Sequence, residues 1–294
     1  MTTISRQFND TIASVLAAEQ PQAFNRLQSE VHSLQQHFTQ KTFFYLFAIC
    51  PRWFEKKQHV SSAELMQLDV FDVCGTWTPS QFARLYIILA IADQPGSDTF
   101  ASAFNQLFQT ADVNELILLV QSLQFISDSE RFVARAREAA RSNIESVFSA
   151  IAHNSDYAFR FFDQGGWNQL ILKAAFLSVP IWTIYGLRER NNAELVNMIK
   201  NYIEERQVAK RNLPWDLWAC LGWAAASDAD LAYLYAQFEK LDGLSKAAIL
   251  LSLRENMLPG ADKMATAMSA QLKDLDPVML GWSGLAELRT KLNQ

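Results

Sequence analysis

The chain has 294 residues, half of them hydrophobic and 19% charged, which is enough apolar material to bury a sizeable core and too much for a disordered chain. A net charge of -5 lacks the basic excess that nucleic-acid binding relies on, so no nucleic-acid partner is expected. Only 10 glycines and 8 prolines are present, against about 7% and 5% in ordinary chains, and a fold of many strands needs more turn residues than that.

Residues 1–10 are polar, with no apolar core of the kind a signal peptide carries. The periodicity and caps predict helices near 4–18, 20–39 and 41–49. An irregular stretch, 50–60, follows. The aromatics Phe43, Phe44, Tyr45, Phe47, Trp53 and Phe54 lie near Arg52, Lys56 and Lys57 and admit a peripheral membrane contact, although core burial explains the rings more simply. Ser61-x-x-Glu64 reads as a capping box opening a helix over 61–71. Thr78-Pro79 starts the next, 79–92, with a hydroxyl before a proline at the first helical position. Its run LYIILAIA, 85–92, is the longest apolar stretch, well short of the about 20 residues that span a bilayer, so no transmembrane segment is expected.

A helix over 97–109 precedes the capping box Asp112-x-x-Glu115, which opens 112–124 and sets Leu116, Leu119, Val120 and Leu123 on one face. Asp128 is the expected cap of a long helix, 128–152. Along it Arg131, Arg135, Arg137 and Arg141 interleave with Glu130, Glu138 and Glu145. Such a run makes either a patch for an anionic ligand or acidic partner, or a solvated face laced with pairs one turn apart.

Helices follow near 166–177, 193–209, 215–225, 228–240, 244–254, 260–273 and 277–291, with Asn191-x-x-Glu194 and Ser227 as starts. Fifteen short-linked helices and no sustained alternation point to an all-α fold. The favoured arrangement is a right-handed α–α superhelix of stacked helical hairpins, HEAT-like or TPR-like, in one domain over 1–294. No strict repeat of about 34 residues is visible.

Three cysteines, Cys50, Cys74 and Cys220, lie far apart, as buried thiols do in a reducing compartment, so a cytoplasmic location is expected. The local signatures of hydrolases, nucleotide-binding loops and zinc proteases are absent. The four histidines (His32, His37, His59, His153) have no metal-ligand spacing. No cofactor and no metal is implied.

The densest concentration of chemistry runs from Trp167 to Trp223. It holds Lys173, Arg188, Arg190, Asn191, Glu205, Arg206, Arg211, Trp215, Asp216 and Trp218. A helix start beside arginines offers backbone donors and guanidinium groups to an anion. The simpler account has the same arginines pairing with Glu204 and Glu205 to brace a hairpin. Trp215 and Trp218, three apart, would share a helix face and line a pocket for a planar ligand, or fill the core. Met257, Met264, Met268 and Met279 offer an adaptable face or serve as gap-fillers. The binding set is Lys173, Arg188, Arg190, Asn191, Glu205, Arg206, Arg211, Trp215 and Trp218. The rival reading is an enzyme whose site is assembled from Lys173, Glu205, Arg206 and Asp216, with Glu205 as general base.

In the same region the chain resembles the EboA family of bacterial proteins. The likeness is carried by Ser146-Val147-Phe148-Ser149-Ala150-Ile151-Ala152-His153-Asn154, by Leu172-Lys173-Ala174-Ala175-Phe176 and by Gly186-Leu187-Arg188-Glu189-Arg190-Asn191. Glu194-Leu195, Glu205-Arg206, Arg211 and Leu217-Trp218 continue it. A weaker likeness runs upstream through Trp77, Ala83-Arg84 and 111–116, so that it covers roughly 75–225. Ser155 stands where a proline is expected. The resemblance implies a setting in operons for a secondary metabolite, beside a UbiA-like prenyltransferase, a dehydroquinate-synthase-like enzyme and metal-dependent hydrolase-like proteins. It carries no assigned reaction. The expected function is therefore a non-catalytic helical scaffold or binding protein in a bacterial secondary-metabolite biosynthesis or transport pathway. Its partner would be a pathway protein of the same operon or an anionic small-molecule intermediate.

Overall fold

A computed structural model describes residues 3–55, 67, 73, 75, 77–92, 97–256, 258, 260–272 and 277–292. Among the described residues it is all-helical, with no strand, and no helix is long and apolar enough to cross a membrane. Apart from residue 67, the expected helix 61–71 with its Ser61–Glu64 cap lies outside the described residues, as do His59, Cys74, Lys56, Lys57 and Met257. Two compact units divide the chain, 1–162 and 163–294.

The first unit opens with α1 (Thr3–Glu19), α2 (Pro21–Gln36) and α3 (Gln40–Ile49), then a single 3-10 turn, Cys50–Trp53. Helix α4 (Pro79–Ala92) follows, and most of its side chains are buried, so it is the element on which α1 and α2 pack. A helix apolar on every side belongs in the interior. Its one charge, Arg84, is neutralised there: it reaches the Glu115 carboxylate at 2.5 Å, donates to the Phe47 carbonyl at 3.1 Å and lies over the Phe47 ring.

Helices α5 (Ser97–Thr110), α6 (Val113–Ser122), α7 (Val133–Ala140), α8 (Glu145–Ala152) and α9 (Tyr157–Phe161) complete this unit. The Asp112–Glu115 capping box forms in both directions, as the sequence predicts. The aromatics near residue 43 are largely core. Phe43, Phe47 and Phe54 are buried, and Phe43 meets Phe100 at 5.7 Å, while Tyr45 stays exposed.

One expected helix is three pieces. Residues 128–152 form a 3-10 turn (Ser129–Phe132), then α7, then α8. Asp128 makes no side-chain cap and pairs instead with Arg131 at 3.6 Å. The second break falls at 141–144, where the Ser142 hydroxyl accepts from the Ile144 N–H, a local bond that competes with the helical one. Ser155, at the turn before α9, accepts from the Tyr157 N–H in the same way.

The second unit contains α10 (Gln164–Leu177), the short α11 (Leu187–Arg190), α12 (Ala193–Val208), α13 (Leu217–Ala224), α14 (Asp228–Phe238), α15 (Gly243–Arg254), α16 (Ala261–Ser269) and α17 (Pro277–Leu292). Asp163, Asn192, Ser227 and Asp242 each cap a helix by accepting a backbone N–H. The α12 cap is Asn192, one residue beyond the Asn191 that the spacing suggested. Helix α15 is the buried centre, packed by α13, α14, α16 and α17. Its approach to α13 requires Gly222, because a Cβ there would sit 1.9 Å from the Ser252 hydroxyl. Helix α17 bends at Gly281, whose φ of 61° is a backbone state that favours glycine.

Candidate functional site

The segments flanking α12 hold the richest polar chemistry of the second unit. Helix α10 ends at Ser178, itself left-handed with φ 58°. The chain then runs through Pro180 and turns at Ile181 and Trp182. The Asp216 carboxylate fixes that turn, accepting the Ile181 N–H at 2.6 Å and the Trp182 N–H at 3.3 Å. Asp216 is 2% exposed, and burial pushes its carboxyl up to about 6 despite those donors. At the far end of α12, Arg206 donates twice to the Asn212 carbonyl, at 3.1 and 2.6 Å, and so holds the 209–216 link against its helix.

These pieces enclose a hollow of about 440 Å³. Its wall includes Trp182, Trp215 and Pro214, its cations are Arg206 and Arg289, and Asp216 contributes the buried carboxyl. Arg289 comes from the last turns of α17 and makes no hydrogen bond or ion pair among the described residues. Two guanidinium groups against one carboxyl leave the lining cationic at neutral pH.

Behind this wall lies a tryptophan cluster centred on Trp282. Its ring stacks on Trp182 at 6.4 Å, meets Trp215 at 6.2 Å and meets Trp223 at 5.1 Å. The Glu255 carboxylate takes the indole N–H of Trp223 at 2.7 Å on one oxygen and that of Trp282 at 3.1 Å on the other. Trp215 and Trp282 also pack on the apolar group of Leu244, Ala247, Leu251 and Leu285. Ring wall and core are therefore one structure.

The expected site residues divide. Arg206, Trp215 and Asp216 line the hollow, whereas Lys173, Arg188, Arg190, Asn191, Glu205, Arg211 and Trp218 do not. Arg188 donates to the Glu255 carbonyl, which braces the residue gripping the tryptophans. Arg190 lies over the Trp167 ring at 4.7 Å, and burial lowers its pKa. Asn191 donates to the Cys220 carbonyl at 2.6 Å. Lys173 lies over the Phe176 ring at 5.0 Å. Glu205 and Arg211 are exposed.

The helix start expected to receive an anion is closed by its own residues. Asn192 Oδ1 accepts the Leu195 N–H at 3.0 Å and its amide donates to Asn168 at 2.9 Å. Trp215 and Trp218 do not share a helix face, because α13 begins only at Leu217. Trp215 lies in the turn before it, and Trp218 is fully buried. Of the four residues in the enzyme reading, only Arg206 and Asp216 meet in the hollow. The expected binding set left out Trp182, which lies within the stretch 167–223, and Arg289, which reaches the hollow from α17.

Cys50 and Cys220 are free, buried thiols, and burial raises both well above the ordinary thiol range. Among the described residues no three of His, Cys, Asp and Glu gather as metal ligands.

Fold and site together define an all-helical protein with a tryptophan-walled, cationic hollow. The family model for "Metabolite traffic protein EboA" matches residues 8–222, well over half of the chain, and the protein belongs to the EboA family. The match starts far upstream of the resemblance read between 75 and 225 and stops before α17, which supplies Arg289 and Trp282. No curated protein and no solved structure matches the chain.

Proposed function

We propose that the protein is a non-catalytic binding protein of a bacterial secondary-metabolite pathway and that its second unit holds an anionic, ring-bearing small molecule. The family description as a metabolite traffic protein supports a role with a pathway intermediate. One observation carries the site: indoles and guanidinium groups line the same hollow, of about 440 Å³. That volume falls in the range of about 300–1,000 Å³ typical of small-molecule pockets. Indoles give a planar ligand a broad apolar surface, and an arginine without an internal partner supplies a charge-assisted hydrogen bond.

The stacking of helices is part of the same proposal. Contacts run mostly between elements one or two places apart along the chain, which supports consecutive hairpins stacked in the manner of an α–α superhelix. A helical scaffold of this kind offers a surface for a pathway protein as well as a pocket for its intermediate.

The test is a titration of the full chain with phenylacetate and with neutral phenylacetamide, followed by tryptophan fluorescence. The expected result is saturable quenching by phenylacetate, weakened about tenfold in Arg289→Ala and lost in Trp215→Ala, with phenylacetamide much weaker. Equal binding of acid and amide, or unchanged phenylacetate binding in Arg289→Ala, overturns the assignment of this site.

A further inference from the structure

Three arginines of the run in the first unit have different fates. Arg131 pairs with Asp128, and its guanidinium lies 5.1 Å from the Phe132 ring centre. Arg135 is set rigidly: its Nε donates to Asn105 Oδ1 at 3.1 Å and its Nη1 to Glu138 at 2.8 Å, with the side chain only 17% exposed. Arg141 is exposed at the C-terminal end of α7, where the helix dipole favours a cation. Its guanidinium has no acceptor among the described residues.

Arg135 and Arg141 both line a cavity of about 320 Å³ in this unit. The rest of its lining is mostly apolar: Phe108, Leu116, Ala139 and Val147, with Glu138 and the Ser142 hydroxyl at its polar side. The break at 141–144 makes this arrangement. The turn ends α7 at Arg141 and brings Val147 of α8 back to the same cavity.

The geometry points to a second binding site, for an amphipathic monoanion with an aliphatic body and a carboxylate head. The apolar lining takes the chain, and Arg141, presented beside the immobilised Arg135, takes the carboxylate. Two arginines against the single Glu138 leave one net positive charge, which matches one carboxylate and no more. The small volume limits the body to a medium-length chain. The site is independent of the tryptophan-walled hollow, which is built from the other unit.

The experiment is calorimetric titration of the full chain with octanoate and with octanol, alongside the Arg141→Ala, Leu116→Trp and Arg289→Ala variants. The Arg141 guanidinium has no acceptor among the described residues and Leu116 is half-buried at the lining, so neither change removes a packed core group. The expected result is one saturable octanoate site that Arg141→Ala weakens about tenfold and Leu116→Trp blocks, while Arg289→Ala leaves it intact and octanol binds far more weakly. Circular dichroism of each variant shows that the helices remain. Absence of octanoate binding, indifference to Arg141→Ala, or loss in Arg289→Ala in place of Arg141→Ala overturns the proposal. Failure of the phenylacetate titration leaves it standing, since that test reads the other unit.

Discussion

Replacing Asp216 by asparagine isolates the electrostatic cost of the buried carboxylate beneath the hollow. The carboxyl rises from 3.8 to about 6 because burial penalises the charged form more than the Ile181 and Trp182 donors stabilise it. The folded chain therefore binds the proton more tightly than the unfolded chain does. Stability from this group is fully present below about pH 3.8 and is lost as the pH climbs through about 6. The displacement corresponds to about 3 kcal/mol.

Asparagine has no proton to lose, so the variant escapes that decline. It brings a constant penalty of its own, since its amide nitrogen replaces an oxygen at a buried position, but this offset does not titrate. The informative quantity is thus the change, between about pH 4 and about pH 7.5, in the stability difference between Asp216→Asn and the parent. That difference should shift in favour of the variant by up to about 3 kcal/mol. Urea unfolding followed by tryptophan fluorescence reads mainly the right unit, since six of the eight tryptophans, Trp167, Trp182, Trp215, Trp218, Trp223 and Trp282, belong to it. A difference that is flat with pH, or that moves against the variant as the pH rises, would refute the account of Asp216 as a carboxylate strained by burial.

Two further substitutions test the framework that holds the ring wall. Asn256 donates to the carbonyls of Gly222, Trp223 and Ala225 at 2.7, 3.2 and 3.0 Å and accepts from the Leu258 N–H at 2.7 Å, so it closes the end of α13. Asn256→Ala should cost about 1–3 kcal/mol in the same urea assay, and an unaltered midpoint would show that water replaces those bonds freely. Gly222→Ala places a methyl 2.8 Å from Ser252 Cβ as well as 1.9 Å from its hydroxyl, and should cost at least about 1–3 kcal/mol through overpacking. Adding Ser252→Gly should recover part of that loss; a double variant no better than the single one would place the strain elsewhere.

What the sequence made legible, and what it left hidden, follows from the range over which each signal acts. Caps act within one turn, and so Asp112 with Glu115, the proline start at Pro79 and the Ser227 cap were readable as local chemistry. The break of 128–152 was harder. Apolar spacing continues across it, and only the turn-forming pair Ser142–Asn143 marks where a side chain outcompetes the helix for a backbone donor. The site was half readable for a related reason. Arg206, Trp215 and Asp216 sit in one dense segment and announce the right chemistry, but the same density drew in Arg188, Arg190 and Asn191, which are occupied by Glu255, Trp167 and Cys220. Spacing cannot separate a guanidinium spent on structure from one presented to a cavity, because the partner that decides it lies tens of residues away. Arg289 is the converse case: an unremarkable basic residue in a last helical turn, given its role by the bend at Gly281 and by the packing of Trp282 and Leu285 on the α15 core. The hollow is thus a tertiary property, assembled where half-buried indoles form the wall, a buried carboxylate fixes the backbone and two arginines from separate helices supply the charge.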